Sequence, residues 1–257
     1  MTLRDGTPIW FELATADRPA ATDFYARLVG WVIAESPAPD HRDYVLARAP
    51  DGERVAGIMS PPPPGAPGGW SLYLLTHDLE ATLATALAAG GKVAFGPMDI
   101  PHVGRVAVLH DPQGIVVSLM QPEREEPGRP FKPEPGAIGH GVWIELATPA
   151  PEAAFAFYGA LFGWTREGAM PMGEMGEYAF MGAGEARPGA IMSSALTGAP
   201  ARWNVYFLVD DIDRAIDAAQ AGGGTLIQGP DAIPGGDYSA NILDPAGHQI
   251  GLVGPRP

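Results

Sequence analysis

Two short phrases hold the residues best suited to chemistry: "WFELAT" at Trp10–Thr15 and "WIELAT" at Trp143–Thr148. Each sets a carboxylate, Glu12 or Glu145, two residues after an indole inside an apolar run. Side chains alternate along a β-strand, so Trp and Glu share one face while Phe11 and Leu13, or Ile144 and Leu146, take the other. A carboxylate held on an apolar face is poised as a general base or as the polar anchor of a ligand. The plainer reading of the same residue is a buried acceptor for a backbone N–H or an indole, kept for stability.

Other reactive residue types are scarce. There is no Cys, which excludes disulfides, thiolate catalysis and zinc–thiolate sites. The six histidines are His41, His77, His102, His110, His140 and His248, and none recurs at the matching position of the second phrase's surroundings. They read as surface or loop residues; His102 and His110, on either side of an expected strand, are the two placed to reach a ligand.

The elements that must position these residues come in two copies. Trp10 and Trp143, Tyr25 and Tyr158, Trp70 and Trp203, and Asp111 and Asp244 are each 133 positions apart. "GPMDIP" at Gly96–Pro101 returns as "GPDAIP", and "DPQG" at Asp111–Gly114 as "DPAG". One register held over this length is a duplicated domain, not an array of short repeats. The copies span 1–121 and 139–257, and the stretch 122–138 between them has the Pro, Gly and charge of a linker. "SPPPPGAPGG" at Ser60–Gly69 reads as a loop between half-domains. Within a copy, "PIWFELAT" predicts a strand, and "DRPAATDFYARLVG" a helix burying Ala21, Phe24, Tyr25 and Leu28 and stopped by Gly30. Short strands are expected near Val32, Tyr44–Ala47 and Val55–Met59. "WSLYLLT" predicts the next strand and "DLEATLATALAAGG" the next helix, followed by strands near Val93, Val106–Leu109 and Ile115–Met120. Each copy is therefore two rounds of strand, helix and three strands.

Composition bounds the function. The 257 residues are 46% hydrophobic and 18% charged, as in a folded globular protein. Thirty acidic residues against 16 basic ones give a formal net charge of −14, so nucleic acid is excluded as a partner on charge. No apolar run has the length to span a bilayer, and "MTLRDGTPIW" lacks the regions of a signal peptide. The expectation is a cytoplasmic protein, monomer or homodimer, with a small-molecule ligand.

A strand, a helix carrying "FY..L.GW" and a closing "DP.G" before the last strand resemble the vicinal oxygen chelate superfamily. That superfamily holds glyoxalase I, extradiol dioxygenases, fosfomycin-resistance proteins and bleomycin-binding proteins. The resemblance covers both copies and implies an α+β fold of two tandem glyoxalase-like domains, each two βαβββ modules forming an eight-stranded cup. In metal-dependent members, four strand positions hold a divalent ion. Carried onto this chain, they fall on Trp10, Met59, Leu72 and Ser118 and on Trp143, Met192, Val205 and Gly251. None of these forms a ligand set for a hard cation, so no divalent ion is expected at the family positions and no other cofactor is expected; a metal held by residues such as Glu12, Glu145 or His102 belongs to the enzyme alternative below. The resemblance then implies cups lined by Trp10, Met59, Trp70, Trp143, Met192 and Trp203, with His102 near the first. Glu12 and Glu145 are the candidate catalytic or anchoring groups, and Tyr44 and Tyr178 add hydroxyls. The leading expectation is a glyoxalase/bleomycin-resistance-like protein binding a small, partly apolar organic molecule in one or both cups. The alternatives are a metal-dependent lyase, isomerase or oxygenase, and a drug or metabolite sequestration protein.

Overall fold

The computed structural model describes residues 3–36, 44–61, 68–123 and 128–257. His41 and most of the proline run at Ser60–Gly69 lie outside them. The first copy opens with β1 (Pro8–Ala14), α1 (Arg18–Val29), β2 (Val32–Glu35), β3 (Tyr44–Arg48) and β4 (Arg54–Met59). The order returns as β5 (Gly69–Leu75), α2 (Leu79–Ala88), β6 (Lys92–Ile100), β7 (Gly104–His110) and β8 (Val116–Pro122). In the second copy β9 (Gly141–Thr148), α3 (Pro151–Phe162), β10 (Thr165–Pro171), β11 (Glu177–Ala183) and β12 (Ala186–Ser193) form the first round. A single turn of helix, α4 (Ser194–Thr197), leads to β13 (Arg202–Leu208), α5 (Ile212–Ala221), β14 (Thr225–Ala232), β15 (Tyr238–Leu243) and β16 (Gln249–Gly254). Two eight-stranded sheets result, in the orders β2-β3-β4-β1-β5-β8-β7-β6 and β10-β11-β12-β9-β13-β16-β15-β14.

The helices form where the pattern of buried residues predicts them. In α1 the buried residues Ala21, Phe24, Tyr25 and Leu28 recur at helical spacing, and α3 repeats them as Ala154, Phe157, Tyr158 and Leu161. Each helix ends at a left-handed glycine, Gly30 at φ 75° and Gly163 at φ 68°, a conformation that a side chain would disfavour. The starts differ. The Asp17 carboxylate accepts the Ala20 N–H at 3.0 Å, whereas Ala150 at the same place has no side chain to do so.

The chain divides into two compact units, and the division cuts across the two copies. One unit comprises Met1–Ile9, Leu72–Pro127 and Ile144–Asn204, the other Trp10–Ser71, Gly128–Trp143 and Val205–Pro257. Each therefore joins the first module of one copy to the second module of the other. In the first unit α2 packs against α3; in the second α1 packs against α5, where Gly222 and Gly224 leave room for the ring of Phe24.

The stretch expected as a linker is anchored where it is described. Phe131 is buried and bridges to Gly141, and the Gly139 carbonyl accepts the Trp31 indole N–H at 2.7 Å. The Lys132 ammonium donates to Asp51 and Glu53, both at 2.8 Å, and the fully buried His140 ring lies between the Arg129 carbonyl and Asp51. Partial burial works to raise the Asp51 pKa, but the bonds from Lys132, the Glu53 amide and His140 outweigh it and bring it down to about 2. Among the described residues, no helix is long and apolar enough to cross a membrane.

Candidate functional site

In the second unit, β1 alternates as its sequence predicts. Phe11 and Leu13 are fully buried, and Phe11 meets the edge of Phe207 at 5.2 Å. Trp10, Glu12 and Ala14 occupy the other, half-buried face. Paired residues on neighbouring strands share a face. Parallel pairing sets Glu12 against Gly57 and Ala14 against Met59, and antiparallel pairing sets Gly57 against Leu46 and Met59 against Tyr44. Trp10, Glu12, Tyr44, Leu46 and Met59 thus lie on one surface. Across it runs a chain of hydrogen bonds: the Trp10 indole N–H donates to Tyr44 Oη at 2.9 Å, and the Tyr44 hydroxyl donates to Glu12 Oε2 at 2.9 Å. Gly57 makes this possible, because a methyl group there would overlap the Tyr44 hydroxyl.

The counterpart lies on β9, β11 and β12. Ile144, Leu146, Ala179, Met181 and Ile191 bury one face of these strands. The other carries Trp143 and Glu145 on β9, Ala190 and Met192 on β12, and Tyr178 and Phe180 on β11. The pairs Glu145–Ala190, Phe180–Ala190 and Met170–Tyr178 fix this arrangement and extend it to Met170 on β10. The Tyr178 hydroxyl donates to Glu145 Oε2 at 2.8 Å. Glu145 is 8% exposed, deeper than Glu12, which is half-buried. In chemical terms each copy presents a carboxylate acceptor, a phenol bonded to it, an indole and a methionine on one sheet face.

The remaining sequence candidates sit elsewhere. Trp70 and Trp203, expected to point into the cups or lie at their rims, have their indole nitrogens turned to the helix tyrosines. Trp70 Nε1 donates to Tyr25 Oη at 3.0 Å and Trp203 Nε1 to Tyr158 Oη at 3.2 Å, each within a cluster of rings. Those hydroxyls donate onward to the Asp of "DP.G" in the opposite copy: Tyr25 to Asp244 Oδ2 at 2.9 Å, Tyr158 to Asp111 Oδ2 at 3.3 Å. Burial, reinforced by the carboxylate, raises both tyrosine pKa values well above the ordinary range. The two acids differ. Burial raises the Asp111 pKa. Burial also acts to raise that of Asp244, but His248, whose Nδ1 lies 3.0 Å from Asp244 Oδ2, outweighs it and lowers the pKa. These relays escaped the sequence reading, although "FY" and "DP.G" both repeat. His102 stands exposed in the turn between β6 and β7 at φ 64°, and His110 contacts the Gly114 carbonyl at 3.1 Å.

A divalent ion does not fit the family positions. Indole, thioether, aliphatic and hydroxyl groups, or no side chain at all, occupy them, and neither copy assembles hard donors there. Among the described residues no group of three or more His, Cys, Asp or Glu could hold a metal ion.

The family model described as "Glyoxalase/Bleomycin resistance protein/Dioxygenase superfamily" matches residues 8–119 and 139–252. The chain is 36% identical over 258 residues to "Putative glyoxylase CFP32" of Mycobacterium tuberculosis, covering 99% of this chain and 97% of that protein. It is 30% identical over 269 residues to "Anthracycline biosynthesis protein DnrV" of Streptomyces peucetius, covering 96% and 93%. Among solved structures it resembles the Mn(II)-bound glyoxalase of Novosphingobium aromaticivorans, with TM-score 0.65, 18% identity and coverage of 98% and 83%. It also resembles the homoprotocatechuate 2,3-dioxygenase of Brevibacterium fuscum, with TM-score 0.68, 15% identity and coverage of 98% and 81%.

Proposed function

The chain belongs to the glyoxalase/bleomycin resistance protein/dioxygenase superfamily, and from that premise we propose that it binds a small, partly apolar organic molecule on the Glu–Tyr sheet face of one or both copies. The ligand is held without a divalent ion at the family's metal positions. One observation carries the reading: in both copies a Tyr hydroxyl donates to a Glu carboxylate on a face otherwise made of Trp, Met and aliphatic groups, with Phe180 added in the second. Such a face gives apolar contact area with one strong acceptor, the combination that orients a small ligand. The names of the relatives, one a glyoxylase and one an anthracycline biosynthesis protein, support a small-molecule role.

Titration calorimetry against a panel of small phenols, ketones and aromatic acids tests the reading. Glu12→Gln and Glu145→Gln keep the shape of the faces and remove the charge. At least one of them should weaken binding by about ten- to a hundredfold, the worth of a charge-assisted hydrogen bond. Unchanged affinity in both, with lowered melting temperatures, would make the glutamates structural. The glyoxylase relative favours a second reading, in which the same carboxylates act as general bases. Turnover of a panel ligand, abolished by the Gln variants while its binding persists, would select that one.

A further inference from the structure

Resting on that small-molecule reading, we infer that the seat is the face of the second copy and that its occupant is a fused aromatic system bearing a hydroxyl group. The two faces share their Trp, Glu, Tyr and Met but part at three places. Phe180 stands where the first copy has Leu46, adding a ring 6.1 Å from that of Tyr178. Ala190 stands where the first copy has Gly57, so Tyr178 cannot settle onto the strand as Tyr44 does.

The third difference is the hairpin beyond the face. In the second copy it reads "AMPMGEMGEY" and carries Met170, Met172 and Met175; the sequence joining β2 to β3 in the first, "SPAPDHRDY", has no methionine. Met170 shares the face with Tyr178 by strand pairing and is 38% exposed, and Met175 is 47% exposed. Leu196, 58% exposed, reaches back to Gly176 in the turn of the same hairpin. Met170 therefore extends the apolar face of Glu145 outward across the sheet, and Met175 and Leu196 add exposed apolar groups at its hairpin end.

The chemistry of the face selects the occupant. Thioethers are polarisable and make favourable contacts with aromatic rings, and Tyr178 and Phe180 offer ring edges and faces. Glu145 can only accept, so the ligand must donate, through a hydroxyl or N–H. From β9, which carries Glu145, to β10, which carries Met170, is three strand spacings, roughly 14 Å. A single ring bonded to Glu145 would not reach Met170; a planar fused system would.

The test uses the whole protein and two probes, 2,6-dihydroxyanthraquinone and phenol, followed by quenching of tryptophan fluorescence, with melting temperature as the control for folding. The anthraquinone should bind about tenfold or more tighter than phenol. Glu145→Gln should weaken it by about tenfold or more. The double variant Met170→Gln/Met175→Gln should weaken it by roughly three- to tenfold, because the thioethers no longer cover the ring system, without lowering the melting temperature. Because both methionines are exposed, that variant reads out even if Glu145→Gln folds poorly. Loss of anthraquinone binding on Glu12→Gln, with the second-copy changes inert, would overturn the inference and leave the small-molecule reading standing. The same holds if phenol binds as tightly as the anthraquinone. If neither probe nor any member of the panel binds, both fall.

Discussion

The first module of copy one and the first module of copy two were drawn from one plan, and their differences are more instructive than their likeness. Both bury Phe–Tyr on a helix and set Trp and Glu on the far face of the leading strand. In copy one the plan closes on itself: Gly57 lets Tyr44 lie flat and take the Trp10 N–H, and Tyr25 is tied to an Asp that His248 keeps ionised. In copy two Ala190 takes the place of Gly57, Met170 and Met175 stand partly exposed on the hairpin, and Tyr158 is tied to Asp111, which has Ile115 where Asp244 has His248. The carboxylate–phenol pair is common to both modules, and the differences lie in the residues around it: Leu46 and Gly57 in copy one, Phe180, Ala190 and Met170 in copy two.

The largest effect should come from the relays. Asp244→Asn removes a lowered-pKa carboxylate that accepts from Tyr25, His248 and two backbone amides, and should cost about 1.5–3 kcal/mol. Asp111→Asn should cost less than about 1.5 kcal/mol, since burial already opposes its charge. Chemical denaturation decides, and equal losses would erase the distinction between the two acids.

Next comes the glycine. Gly57→Ala should push the Tyr44 hydroxyl off its seat and cost about 1–3 kcal/mol, with a change in Trp10 fluorescence. Ala190→Gly, the reverse change in the other copy, should cost only about 0.5–1 kcal/mol from strand entropy. A neutral Gly57→Ala would show that the room beneath Tyr44 is not used.

The two acids also separate by pH. A folded pKa below the ordinary aspartate value of 3.8, as for Asp244, adds stability that is present above that value and is lost as pH falls through the lower folded pKa. A folded pKa above 3.8, as for Asp111, costs stability when the group is charged, and the cost is relieved as pH falls through the raised value. Wild type should therefore gain on Asp111→Asn as pH is lowered from neutral toward 4, and lose ground to Asp244→Asn only below about 3.8. Stability curves of the three proteins across that range check both signs.

The smallest effect concerns the helix starts. Ala150→Asp should supply α3 with the cap that Asp17 gives α1 and raise stability by about 0.5–1 kcal/mol, and Asp17→Ala should lower it by about 0.5–2 kcal/mol. A thermal melt of each suffices. No gain from Ala150→Asp would mean that the α3 start is already satisfied by other means.

Much of this was legible without a structure. The duplication, the order of elements, the helix ends and the face shared by Trp10 and Glu12 follow from periodicity and glycine placement, which act over a few residues and leave their mark in the chain itself. The hydroxyl of Tyr44 was in view, but its bond to Glu12 was not, because the bond depends on which strands pair and in what register. The indoles of Trp70 and Trp203 illustrate the same limit: strand parity says which side a residue takes, and the rotamer and the packed helix decide where its N–H goes. What only the tertiary structure decided is the exchange between copies. Tyr25 and Tyr158 each had two identical aspartates to choose from, 111 and 244, and no local rule distinguishes a motif from its duplicate. Packing of α1 on α5 and of α2 on α3 made the choice, because burying a helix face against a neighbour is a property of the assembled modules and not of any one of them.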